Sequence, residues 1–136
     1  MDEGIPAPQV WPTLRAIDAR ALIRFLVEAL GFEEVLVIGD GDHIDHAELH
    51  WPPGGGVMLG SVHEADESTP GGFSAYVVTD DPDLLHARAV AAGADIIVKL
   101  HDTDYGSRDF ALRDPEGNRW SFGTYRGAPV PGVSHR

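Results

Sequence analysis

The chain of 136 residues has no cysteine, which excludes disulfides, thiolate catalysis and thiolate metal sites. It also lacks an apolar run long enough to span a bilayer, and its first residues do not resemble a signal peptide, so we expect a cytoplasmic protein without a membrane partner. Basic residues are scarce, with 10 Lys and Arg against 22 Asp and Glu and a formal net charge of −12. Because a groove that follows phosphates needs positive charge, we expect no nucleic-acid partner. The acidic balance fits a cationic partner, or simply a soluble surface.

The stretch from Tyr105 to Tyr125 predicts a β-hairpin. Its centre, Asp114–Asn118, is rich in turn residues, since proline presets φ, glycine allows positive φ, and Asp and Asn bond back to nearby backbone. The flanking residues alternate between two faces, which indicates strands. The face expected to be buried carries Phe110, Leu112, Trp120 and Phe122, and the face expected to border a cavity carries Asp109, Ala111, Arg113, Arg119, Ser121 and Gly123.

The chain contains two copies of one pattern, a strand and a helix followed by three strands. Asp18 caps the first helix and Gly31 ends it, while Asp80 or Asp81 caps the second and Gly93 ends it. Asp80 minus Asp18 and Gly93 minus Gly31 are both 62, which indicates an internal repeat. We therefore predict an α+β fold of tandem β-α-β-β-β modules. The predicted boundaries are 9–61 and 73–126 for the modules, 62–72 for a linker and 127–136 for a C-terminal tail.

This repeat resembles the vicinal oxygen chelate superfamily, which includes glyoxalase I, extradiol dioxygenases and bleomycin-resistance proteins. The resemblance covers residues 9–126 and is carried by Leu30-Gly31-Phe32 after the first helix and by the stretch Phe110–Trp120. It implies eight strands that curl as a mixed sheet into a cup, with the helices outside. It also implies a homodimer, because pockets of the bleomycin-resistance branch form where two chains meet. Whether the modules pair within one chain or between two stays open.

In the metal-dependent members of that family, inward-facing His and Glu on the first and last strand of each module bind the ion. With a repeat of 62, these positions fall on Trp11 and Phe73 in the first strands and on Leu59 and Ser121 in the last strands. None of these side chains holds a divalent metal as His and Glu do. The resemblance therefore implies that the usual metal site, and the electrophile it supplies, is absent.

His46, Glu48 and His50 are the alternative donors for a metal. On a strand they share one face, opposite Ala47 and Leu49. Two imidazoles and a carboxylate suit Zn²⁺, Ni²⁺ or Fe²⁺, but alternate residues on a flat strand are roughly 6–7 Å apart at Cα, so one ion would need a strong bend or a bulge. Two interpretations stay open, a non-standard metal site and a hydrogen-bonding pocket wall.

Alternation along the strands predicts which side chains line the cup. Trp11 and Phe73, at symmetry-related positions, either sandwich a flat ligand or fill an empty cup. Arg15 either binds a ligand carboxylate or pairs with Glu48. The whole set is aromatic and apolar with a few polar groups, as small-molecule pockets are. The predicted ligand-binding residues are Trp11, Thr13, Arg15, His46, Glu48, His50, Leu59, Phe73, Ala75, Tyr105, Asp109 and Ser121.

These observations support three functional hypotheses. The first is a metal-free protein, similar to bleomycin-resistance proteins, that sequesters a small aromatic or cationic compound and has no catalytic residue. The second is a lyase, isomerase or dioxygenase of the same superfamily that uses His46, Glu48 and His50 as ligands of a divalent metal. The third is a scaffold whose cup is collapsed, in which case no ligand binds.

Overall fold

The computed structural model describes residues 7–63, 69–129 and 131. Within this part of the chain, eight strands and two helices follow the predicted order, and no helix combines the length and apolarity that a membrane crossing requires. In chain order the elements are β1 (Thr13–Ala16), α1 (Ala19–Glu28), β2 (Glu33–Asp40), β3 (His43–His50), β4 (Gly56–Ser61), β5 (Ser74–Val78), α2 (Pro82–Ala91), β6 (Asp95–Asp102), β7 (Arg108–Arg113) and β8 (Arg119–Gly123).

The strands form two four-stranded sheets of the same topology. Their orders are β1-β4-β3-β2 and β5-β8-β7-β6. The first and last strands of each module pair in parallel, and the other neighbours pair antiparallel. The predicted α+β class and tandem order are confirmed, with the eight strands divided between two sheets. Residues 64–68 of the expected linker, and positions 130 and 132–136 of the expected tail, lie outside the described residues.

Each helix begins at an aspartate that binds the first turn. The side chains of Asp18 and Asp81 each accept a hydrogen bond of 3.1 Å from the backbone N–H three residues ahead. Such caps satisfy donors that the start of a helix leaves unpaired. Pro82 occupies the first helical position, where no N–H is needed, so Asp81 and not Asp80 is the cap. The two caps are therefore 63 residues apart, 81 minus 18.

The two modules share one hydrophobic core. Apolar residues of both helices and alternate residues of both sheets form a single buried cluster. Rings from different modules meet there, with centroids 5.6 Å apart for Phe32 and Trp120 and 6.3 Å apart for Trp51 and Phe122. The buried face predicted for the hairpin is confirmed, because its four members are at most 1% exposed: Phe110, Leu112, Trp120 and Phe122.

Polar contacts also join the modules on the helix-bearing side of the sheets. The Glu116 carboxylate accepts the backbone N–H groups of Ile17 and Asp18 at 2.7 and 2.9 Å. The Arg88 guanidinium of α2 donates to two carbonyl groups in the last turn of α1, both at 3.1 Å. The modules therefore pack through the sides that carry the helices. The opposite side of each sheet faces away from the shared core and is accessible, so the described part of one chain does not form a closed cup.

Candidate functional site

The first open face is the side of the first sheet opposite the core. Thr13 pairs with Met58 and Met58 with Glu48, so these three side chains lie on one side. Ala47 and Leu59, one position away along their strands, are buried in the core. The first open face consists of Trp11, Thr13, Arg15, Leu36, Ile38, His46, Glu48, His50 and Met58, all of which are partly or largely exposed.

Two glycines on β4 make room for the largest side chains of this face. A Cβ atom at Gly56 would lie 3.0 Å from Trp11 Cζ3, and one at Gly60 would lie 2.6 Å from Arg15 Nη1. A larger residue at Gly60 would therefore displace the guanidinium, and one at Gly56 would overlap the Leu49 carbonyl O and press on the indole. Arg15 Nη1 also donates to the carbonyl O of Ser61 at 3.5 Å. These contacts place Trp11 and Arg15 on the face predicted for them.

His46, Glu48 and His50 share the first open face, as their alternation predicts. His46 Nε2 and Glu48 Oε2 are 2.8 Å apart, and the two side chains are 39% and 26% exposed. Ala47 and Leu49, between them in sequence, are fully buried. No group of three or more His, Cys, Asp or Glu side chains within the described residues is arranged to hold a metal ion. His46 and Glu48 are thus hydrogen-bonded to each other on this face.

The second open face is the corresponding side of the second sheet. Tyr76 pairs with Ser121 and Ser121 with Ala111, while Asp109 pairs with Gly123. A Cβ atom at Gly123 would overlap both Asp109 Oδ1 and the Tyr76 hydroxyl, so these two groups lie directly above the glycine. The second open face consists of Ser74, Tyr76, Asp109, Ala111, Arg119, Ser121 and Gly123.

Three residues predicted to face the cup lie on the core side instead. Leu59 is 3% exposed and belongs to the buried cluster. Ala75 is in register with Trp120, and the ring centroid of Phe73 is 5.4 Å from that of Trp120. The prediction that Trp11 and Phe73 share one inward face is therefore wrong, because Trp11 lies on an open face and Phe73 packs against the core.

A one-residue error in the repeat length causes these misplacements. Thr13 and Met58 of the first module correspond to Tyr76 and Ser121 of the second, and both spacings are 63, from 76 minus 13 and 121 minus 58. The shorter spacing of 62 holds for the glycines after the helices. Because side chains alternate along a strand, a shift of one residue exchanges the two faces of a sheet.

The corrected spacing also moves the positions at which the family binds a metal. They fall on Trp11 and Met58 in the first module and on Ser74 and Ser121 in the second. An indole, a thioether and two hydroxyls do not match the His and Glu donors that a divalent ion needs. The residues at these positions therefore do not fit the metal site that the resemblance implies.

Asp109 is the centre of a hydrogen-bond network on the second open face. Its Oδ1 accepts from Ser107 Oγ at 2.5 Å and from the Tyr76 hydroxyl at 3.3 Å, and its Oδ2 accepts from the Tyr105 hydroxyl at 3.3 Å. Ser107 is buried and also accepts the backbone N–H of Tyr125 at 3.1 Å. Desolvation, and with it the negative charge of Asp109, raises the pKa of Tyr76 and of Tyr105. Both phenols therefore stay protonated and donate at neutral pH.

Cavities border both open faces. One of about 200 Å³ lies beside Arg15 and His46, and one of about 500 Å³ lies beside Tyr105. Another, of about 330 Å³, lies at the seam between the modules and is bordered by Phe32 and Trp120. The cavity beside His46 is smaller than the roughly 300–1,000 Å³ of typical ligand pockets, and a further cavity of about 320 Å³ lies beside Thr13 and Phe73.

Sequence reasoning missed five residues of the open faces. Met58, Ser74 and Tyr76 follow from the spacing of 63, which Pro82 signals by marking the residue before it as the helix cap. Leu36 and Ile38 lie opposite Glu48 and His46 and are 39% and 49% exposed. Their signal is the alternation within the predicted second strand.

Comparison with known proteins gives consistent results. A search of curated proteins found no match. Among solved structures, TioX from Micromonospora sp. ML1 is similar with 31% identity and a TM-score of 0.74, over 87% of this chain and 98% of that chain. TnmS3, an antibiotic binding protein from Streptomyces sp. CB03234, is similar with 23% identity and a TM-score of 0.69, over 90% and 98%. A member of the glyoxalase/bleomycin resistance protein/dioxygenase superfamily from Sphaerobacter thermophilus DSM 20745 is similar with 22% identity and a TM-score of 0.67, over 88% of this chain and 98% of that chain. The last two likenesses show the fold alone.

The family model named Glyoxalase/Bleomycin resistance protein/Dioxygenase superfamily matches residues 9–122. This match covers the first module and the second module up to Phe122, and it agrees with the tandem topology of the two sheets. The chain belongs to the Glyoxalase/Bleomycin resistance protein/Dioxygenase superfamily.

Proposed function

We propose that this protein binds a small aromatic or cationic compound without a metal ion and sequesters it without changing its bonds. The ligand lies in a homodimer, between the first open face of one copy and the second open face of the other. Sequestration then works by mass action, and the acidic surface charge raises the encounter rate with a cationic ligand.

The observation that carries this proposal is the position of the core. Each sheet buries one side against the helices and leaves the other accessible, and the accessible sides bear aromatic and apolar groups beside polar ones. Trp11, Leu36 and Ile38 lie on the first face, and Tyr76 lies on the second beside Tyr105. Ligand pockets combine such apolar surface with a few polar groups that fix orientation.

Closure by a second copy supplies the wall that one chain lacks. Two-fold symmetry sets the first face of each copy against the second face of its partner and produces two equal sites. Each face carries one basic and one acidic side chain, Arg15 and Glu48 on the first and Arg119 and Asp109 on the second, so neither face has a charge excess that would repel the other. The structural neighbour TnmS3 is an antibiotic binding protein, which supports the use of this fold for sequestration.

We expect the purified chain to behave as a dimer in light scattering. We also expect it to bind two flat aromatic probes, acridine, which is neutral near pH 7, and proflavine, which is cationic. Replacing Trp11 by alanine should weaken binding of either probe roughly three- to tenfold, because the ligand loses an aromatic contact and its buried area. Titration calorimetry or probe fluorescence measures the change.

Leu84→Ala is the matched control, since Leu84 is 68% exposed on α2, away from both open faces. Its affinity for the probes should equal that of the wild type. A monomeric wild type that binds neither probe would contradict the proposed function, as would a Trp11→Ala variant with unchanged affinity.

We expect protein purified after growth with zinc, nickel or iron to contain much less than one bound ion per chain. The physical reason is that Trp11, Met58, Ser74 and Ser121 stand at the ligand positions of the family. Elemental analysis by mass spectrometry measures the content. About one ion per chain that is lost in Glu48→Ala would show instead that His46, Glu48 and His50 form a metal centre.

A further inference from the structure

All three tyrosines of the chain gather around one carboxylate. The hydroxyls of Tyr76 and Tyr105 donate to Asp109, and the rings of Tyr105 and Tyr125 meet edge to face with centroids 5.6 Å apart. The three side chains are 42%, 61% and 45% exposed, so much of their aromatic surface is in water. Buried Ser107 holds the carboxylate in place through a hydrogen bond of 2.5 Å.

The Asp109 carboxylate has no cationic partner in the part of the chain that the structure describes. Its hydrogen bonds come from three hydroxyls, and no residue in the described ranges forms an ion pair with it. A carboxylate has about four acceptor positions, so room for one more donor is left. Neutral donors stabilise a carboxylate less than a charged donor does.

The nearby cationic side chains are directed elsewhere. Arg108 pairs with Asp83 and Asp102 at 2.7 and 3.1 Å, and Arg126 pairs with an aspartate before α2. Arg119 lines the same cavity but donates to Ser121 Oγ at 3.4 Å. His101, the cross-strand partner of Asp109, has its Nδ1 2.7 Å from the Lys99 carbonyl O.

We propose that Asp109 and the three tyrosines bind an ammonium or other organic cationic group of the ligand. A carboxylate provides a charge-assisted hydrogen bond, and aromatic faces attract a cation through their quadrupoles. The adjoining cavity of about 500 Å³ has space for the rest of a small molecule. This inference rests on the proposed function and narrows its ligand class to organic cations.

The test compares proflavine with acridine, which share one ring system and differ in charge near pH 7. The wild-type dimer should bind proflavine at least tenfold more tightly. Asp109→Asn should weaken proflavine binding roughly tenfold to a hundredfold, and change acridine binding less than about twofold, because only the cation uses the charge. Raising the salt concentration should weaken proflavine binding more than acridine binding.

Three further variants separate a specific site from a general charge effect. Asp104→Asn removes the same charge from the lining of the same cavity and should change proflavine affinity less than about threefold. Tyr105→Phe keeps the ring and removes one hydroxyl, so proflavine should still bind nearly as tightly, whereas Tyr105→Ala should weaken it roughly two- to fivefold.

Several outcomes would overturn this inference alone. These are equal binding of both probes by the wild type, equal weakening of both in Asp109→Asn, and loss of the dimer in Asp109→Asn, which would assign the carboxylate to the contact between copies. If the wild type binds neither probe, the proposed function fails and this inference fails with it.

Discussion

Replacing Asp114 by alanine should lower the free energy of unfolding by about 3–5 kcal/mol, because four hydrogen-bond donors lose their acceptor. Asp114 Oδ1 accepts the backbone N–H groups of Glu116 and Asn118 at 2.8 and 3.0 Å. Its Oδ2 accepts Asn118 Nδ2 at 2.9 Å and Trp120 Nε1 at 2.8 Å. Asn118 and Trp120 are at most 1% exposed, so water cannot replace the lost acceptor without a rearrangement.

Urea denaturation followed by circular dichroism measures this loss. Asp95→Ala is the control, because Asp95 is an exposed acid at the start of β6, and we expect a change within about 0.5 kcal/mol. Asp114→Asn keeps one acceptor oxygen but sets an NH₂ group against hydrogen-bond donors. Its loss of unfolding free energy should therefore fall between those of Asp95→Ala and Asp114→Ala. A loss below about 1 kcal/mol in Asp114→Ala would mean that the turn finds other acceptors at little cost.

Replacing Trp120 by alanine should lower the free energy of unfolding by about 3–5 kcal/mol through the cavity it leaves. Trp120 is fully buried and touches Phe32 of the first module and Phe73 of the second, so the cavity opens at the seam between the modules. Trp11→Ala is the matched control, since Trp11 lies on an open face and its removal should cost less than about 1.5 kcal/mol. Similar losses in the two tryptophan variants would contradict the assignment of Trp120 to the core and Trp11 to the face.

The two large effects are coupled through one hydrogen bond. Asp114→Ala leaves the indole N–H of Trp120 without an acceptor, and this penalty disappears when the indole is also removed. The double variant should therefore lose less stability than the sum of the single variants, by about 1 kcal/mol or more. Strict additivity would show that the Asp114–Trp120 hydrogen bond contributes nothing to stability.

The fold could be predicted from the sequence because its signals are local. Turn residues between Asp114 and Asn118, alternation along the flanking strands and the aspartate caps each fix one element without reference to the rest. The same locality explains why the faces of β7 and β8 were predicted correctly. Phe110 and Trp120 are both buried on the side their alternation indicates.

The site was harder to predict because it depends on register between distant strands. A repeat of 62 fits the glycines after the helices, but the strands repeat at 63, and that difference moves Phe73 and Ala75 to the core side. Pro82 carried the needed information, since proline at the first helical position fixes the cap at Asp81. Nothing local in the sequence indicates that the two modules pack through their helix-bearing sides, because that depends on contacts such as Phe32 with Trp120.

Gly60 and Gly123 occupy equivalent places in the two halves, 63 residues apart, and each leaves a notch beneath a charged side chain. The notch holds Arg15 in one half and Asp109 in the other. Arg15 reaches its notch from β1 and Asp109 reaches its notch from β7, so substitutions on different strands change the charge above each glycine without disturbing any residue of the interior. Under the proposed function, ligand selectivity is thereby set on the open faces and stability in the core, so that either can change without the other.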